Sequence, residues 1–148
     1  MIRESSIPSL AALLFGAFVA LAGASQHKVL APLAEEAGID EWALIAVPAL
    51  LAMLCALVVY RRAVDRVKNV GQSLSRGLLV ALLTWASFSA LVSWGWCIPT
   101  LFAACMTKSM MISAALGGGQ LLLASLVAAA IMGYVIRGLT SGTRQAKD

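Results

Sequence analysis

The 148-residue chain is poor in charge. Asp, Glu, Lys and Arg make up 12% of it, against about 25% in ordinary soluble domains, and there is one histidine, His27. Where the ionisable groups are missing matters more than how few they are. Four stretches, 7–24, 42–60, 77–97 and 112–136, contain no Asp, Glu, Lys, Arg or His. A haem held between two histidines is excluded by count. Ion-coupled transport normally uses an ionisable side chain at membrane depth, and these stretches supply none. Ser87, Ser89, Ser93 and Ser125 have no neighbouring His, Lys or Asp at the same depth to activate them as nucleophiles. The expectation is therefore a protein that is not an enzyme and carries no cofactor.

Cysteine is also scarce. The three residues are Cys55, Cys97 and Cys105, and no C-x-x-C pair of the kind used by thiol oxidoreductases occurs. Cys97 and Cys105 stand near each other between two long apolar runs, so a disulfide between them is feasible. Cys97, Cys105, Met106, Met110 and Met111 are soft donors of the type that select copper(I). Methionine is equally ordinary filler in an apolar chain, so no metal site is expected.

What is present is apolar: 61% of residues, with a mean hydropathy of +0.90. A water-soluble domain of this size has no surface on which to hide that excess. Each of the four uncharged stretches is long enough to cross about 30 Å of hydrocarbon at about 1.5 Å per residue. The expected fold is an all-α, four-helix transmembrane bundle forming one domain. The first stretch, after Arg3 and ending in Ala22-Gly23-Ala24, also has the outline of a cleavable signal peptide. Glu4 weakens the basic leader, and Ala12, Gly16, Ala20 and Ala24 form a stripe suited to helix packing, so it is read as a retained span.

Charge placement sets an orientation. Nine of the eleven basic residues (Arg3, Arg61, Arg62, Arg66, Lys68, Arg76, Arg137, Arg144 and Lys147) fall at one set of helix ends. Glu35, Glu36, Asp40 and Glu41 fall at the other, with Lys28 and Lys108. The positive-inside rule then gives N-in/C-in topology, consistent with a bacterial inner membrane, and explains the net charge of +4 without a nucleic-acid partner. Trp42, Trp94 and Trp96 mark the outer boundary, and Tyr60 and Tyr134 the inner one.

Between the spans, Pro32, Glu35 and Gly38 suggest one interfacial helical turn in the outer loop. Residues 61–76 read as a basic amphipathic extension of the second helix. Its Arg61, Arg62, Arg66 and Lys68 would meet lipid headgroups, and Gly71 and Gly77 would bracket a turn. The 97–111 segment, broken by Pro99, is expected to cap the outer face, and 138–148 to be a disordered tail.

Packing signals remain inside the spans. Trp85, Ser89, Val92 and Trp96 share one side of the third helix, while Thr84 and Ser87 point elsewhere. Ser125, Ala129 and Gly133 repeat every four residues on the fourth. Gly117, Gly118 and Gly119 weaken a helix by about 1 kcal/mol each, and Gln120 needs a hydrogen-bond partner in hydrocarbon. Pro48 is expected to kink the second helix. These features fit an accessory, assembly, regulatory or immunity-type subunit acting through intramembrane contacts with lipids and with another membrane protein or further copies of itself. The alternative is an oligomeric channel or holin-like pore.

Overall fold

A computed structural model describes residues 6–37, 40–61, 70–97, 107 and 118–145. They form the helices α1 (Ile7–Ser25), α2 (His27–Ala37), α3 (Glu41–Tyr60), α4 (Val70–Cys97) and α5 (Gly119–Gln145). Four of these, α1, α3, α4 and α5, are long and apolar enough to cross a membrane. Each packs on two others: α1 on α3 and α5, and α4 on α3 and α5, which closes a four-helix bundle.

Local chemistry accounts for several helix ends. Pro8 sits in the first turn of α1, where its missing N–H would have had no partner. Asp40 caps α3 by accepting from the Trp42 backbone N–H at 3.0 Å, and Glu41 adds negative charge to the first turn, complementing the helix dipole. Gln26 serves two helices. Its N–H reaches the Gly23 carbonyl at 3.0 Å to close α1, and its carbonyl accepts from Val29 and Leu30 to open α2. Because α2 is started by Gln26, it begins at His27 and takes Pro32 inside it, rather than being a single turn begun near Pro32. Pro48 lies within α3.

Three sequence expectations give way to packing. Within the stretch 61–76 expected to extend the second helix, residues 70–76 belong to the next helix instead. α3 ends at Tyr60, where the Arg61 N–H reaches the Val58 carbonyl, and α4 has begun by Val70, so Gly71 and Gly77 stand inside a helix. Residues 62–69 lie outside the described residues. The expected tail is helical as far as Gln145. Once a helix is nucleated, adding residues is cheap, and no proline interrupts this stretch. Of the glycine run, Gly119 is the first residue of α5 and Gly118 precedes it, while Gly117 lies outside the described residues.

The core is built from Ile7 and Phe15 of α1, Tyr60 of α3, Val80 of α4, and Met132 and Ile136 of α5, joined by Ala49, Ala52 and Ala56 and by Ala128 and Ala129. Alanines at three- and four-residue spacing put a flat, narrow face on α3 and bring its neighbours close. The outer surface carries Leu13, Leu21, Leu50, Leu54, Leu82, Leu91, Leu123 and Val127, all exposed. An apolar surface on this scale is normal for a protein solvated by lipid and abnormal in water.

Candidate functional site

A chain of side-chain hydrogen bonds lies at the end of the bundle where α3 finishes and α4 begins. Tyr60 was expected at an interfacial belt; instead it is fully buried. Its ring packs on Phe15, with centroids 5.7 Å apart and planes tilted by 50°. Its hydroxyl donates toward Ser73, lying 3.2 Å from the backbone carbonyl and 3.1 Å from Oγ. Ser73 Oγ in turn donates to the Ala129 carbonyl at 2.7 Å. One tyrosine and one serine therefore join α3, α4 and α5. Beside them Arg76, half-buried, donates from Nη1 to the Val59 carbonyl at 3.4 Å, among the C-terminal carbonyls that α3 leaves without intrahelical partners.

Directly above, α4 and α5 meet at Gly77. A Cβ there would fall 2.3 Å from Ala129 Cβ and 3.0 Å from the Ser125 carbonyl, so only glycine allows this approach. The Ser125, Ala129 and Gly133 stripe is buried as its spacing predicts, and it faces a second stripe, Ser73-x3-Gly77-x3-Ala81. The same device joins α1 to α3. A Cβ on Gly16 would fall 2.3 Å from Met53 Cγ, and one on Gly23 would fall 3.3 Å from Ile45. On the α1 stripe Ala12 and Gly16 are buried, Ala20 is half-buried and Ala24 is exposed.

Further along the α4–α5 seam the helices part. Ala81, Leu82 and Trp85 of α4 and Gly118, Leu121 and Leu122 beside or on α5 line a cavity of about 190 Å³. Among the described residues, Thr84 Oγ1 and Trp85 Nε1 near this level, Ser125 Oγ below it and Ser93 Oγ above it are buried without a hydrogen-bond partner. Each such group has a cost in a low-dielectric interior. The buried positions of α4 also change face along its length. Ser73, Gly77, Val80 and Thr84 follow one stripe, whereas Ser89 and Ser93 fall on another, as helical periodicity separates them.

Among the described residues, the acidic groups lie at the opposite end. His27 Nδ1 pairs with the Glu41 carboxylate, linking the start of α2 to the start of α3. Among the described residues Glu35, Asp40 and Glu41 stand at this end with Lys28, while Arg61, Arg76 and Arg137 stand at the Tyr60 end. Trp42 at 73% exposed and Trp94 at 64% mark the acidic end, and Tyr134 at 67% marks the basic end.

The sequence-derived residues distribute unevenly over this structure. Ser89, Ser125 and Gly133 are buried and Trp85 is half-buried, whereas Gly119, Gln120 and Arg61 are exposed and Gly118 is half-buried. The Gly117, Arg62, Arg66, Lys68, Cys105, Met106, Met110 and Met111 readings lie outside the described residues, as do the side chains of Trp96 and Cys97, and with them the disulfide and copper readings. Sequence reasoning missed the Tyr60–Ser73–Ala129 link and the role of Gly77. Small residues at 73, 77 and 81 were the available signal, hidden because 61–76 read as an extension of the second helix, with a turn between Gly71 and Gly77 separating Ser73 from the third span. Comparison with protein-family models, with curated proteins and with solved structures gives no match.

Proposed function

We propose that the protein is a non-enzymatic, multi-pass component of the bacterial inner membrane, with its Tyr60 end in the cytoplasm. It would work through intramembrane helix contacts as an accessory, assembly, regulatory or immunity-type subunit. The observation that carries this reading is the chemistry of the interior. Among the described residues, the buried polar side chains other than Tyr60 are hydroxyls: Ser73, Thr84, Ser89, Ser93 and Ser125. Hydroxyls, small residues and close backbone approach are the means by which membrane helices associate. Moving an ion or a proton normally needs an ionisable group at depth.

The test has two arms. Purified protein in liposomes should be electrically silent, and a photo-crosslinker placed at exposed Leu82 or Leu123 should give one discrete adduct with another membrane protein. Stepwise conductance altered by Gln120→Leu or Thr84→Val would overturn this reading in favour of an oligomeric channel or holin-like pore. That second reading draws on the four unpartnered polar atoms inside the bundle. It requires several copies, because Phe15 and Tyr60 fill the interior of a single bundle at one end.

A further inference from the structure

Arg76 was expected between two spans and stands instead inside α4. It lies within the apolar window of α4, yet it is half-buried against the C-terminus of α3. Only one of its five N–H donors is used in the bond to Val59, and no carboxylate among the described residues pairs with it. Arg61, exposed, stands at the C-cap of the same α3 terminus two residues beyond Val59. Two arginines thus stand beside the C-terminus of α3, at the end that carries no acidic group among the described residues. Up the same face of α4, three and seven residues on, come Leu79 and Leu83, 46% and 41% exposed. α3 packs along α4, with Val59 and Cys55 half-buried against the core.

We propose that this end of the α3–α4 seam binds an anionic phospholipid, whose phosphodiester is held by Arg76 and Arg61 and whose acyl chain lies along Leu79 and Leu83. Charge and depth agree. The basic pair sits at the bilayer edge, the leucines run inward from it, and the fork of an arginine matches a phosphate's oxygens. The Val59 carbonyl positions Arg76 in advance, which leaves less side-chain freedom to lose on binding. This site rests on the membrane orientation proposed above and not on the helix-contact role, so the two succeed or fail separately.

The experiment is native mass spectrometry of the full chain in mild detergent, titrated with phosphatidylglycerol, with phosphatidylcholine and with inorganic phosphate. Phosphatidylglycerol should be retained in preference to phosphatidylcholine, and millimolar inorganic phosphate should not displace it. Arg61→Gln and Arg76→Gln should each weaken retention about fivefold, the value of one basic side chain at an anionic surface, and the double variant about 25-fold. Lys28→Gln, at the other end, should change nothing. Arg61→Gln touches only an exposed residue and cannot fail through misfolding. Equal retention of the two lipids, full displacement by inorganic phosphate, or undiminished retention by Arg61→Gln would overturn the proposal.

Discussion

Gly77→Ala should destabilise the bundle although alanine is the better helix former. The added Cβ would lie 2.3 Å from Ala129 Cβ and 3.0 Å from the Ser125 carbonyl, where carbons in ordinary contact stand about 3.5 to 4.0 Å apart. Neither obstacle is the end of a flexible side chain, so α4 and α5 must separate by roughly 1 Å or more. Overpacking of this kind costs about 1 to 3 kcal/mol. The Ser73 Oγ bond to the Ala129 carbonyl spans the same seam and would stretch, at a cost of about 1 kcal/mol. Against this stands a propensity gain of about 1 kcal/mol, leaving a net loss of about 1 to 3 kcal/mol. Two other glycines calibrate the result. Gly71→Ala meets nothing within 4 Å and should stabilise by about 0.5 kcal/mol. Gly16→Ala meets the flexible Met53 side chain and should cost less than Gly77→Ala. The assay is reversible unfolding in mixed micelles followed by helix content, with Ala129→Gly added to Gly77→Ala as a rescue. A Gly77→Ala protein as stable as wild type, or one that Ala129→Gly fails to improve, would refute the close approach.

Tyr60→Phe keeps the contact with Phe15 and removes only the hydroxyl, so it should cost about 0.5 to 1.5 kcal/mol in the same assay. Ser73→Ala should cost a similar amount, and the double variant less than the sum of the two, because both act on one chain of bonds. Asp40→Ala should cost about 1 kcal/mol through loss of the cap on Trp42, and Asp40→Asn should recover most of it. The exposed His27–Glu41 pair should show a coupling of no more than about 1 kcal/mol in a double-mutant cycle, reduced by added salt.

The four long helices were legible because an uncharged run of the right length has few other uses; α1 and α3 end where charge resumes, whereas α4 and α5 run on through Arg76 and Arg137. The stripe on α5 was legible too, since Ser125, Ala129 and Gly133 repeat with the helix period. Tyr60 was misplaced for a physical reason: at a helix end, a tyrosine that snorkels to the interface and one that turns inward look alike in sequence. Which it does depends on whether Ser73, thirteen residues on, is brought alongside. Gly71 and Gly77 read as turn residues because glycine weakens an isolated helix. Gly77 is kept in α4 by a tertiary contact that propensity does not register. Arg76 was counted among the charges between the second and third spans; it lies inside α4 and donates to the Val59 carbonyl at the end of α3, a contact that only the packing of the two helices creates.

Sided labelling tests the membrane bundle and its orientation most directly. In a background with Cys55, Cys97 and Cys105 replaced by Ser, single cysteines go in at Lys28 and at Gln72, both exposed and at opposite ends of the bundle. An impermeant maleimide is applied to cells before and after the inner membrane is opened. The expected result is Lys28→Cys labelled from outside and Gln72→Cys labelled only after lysis. Labelling of Gln72→Cys in intact cells, or protection of Lys28→Cys until lysis, would contradict the proposed topology.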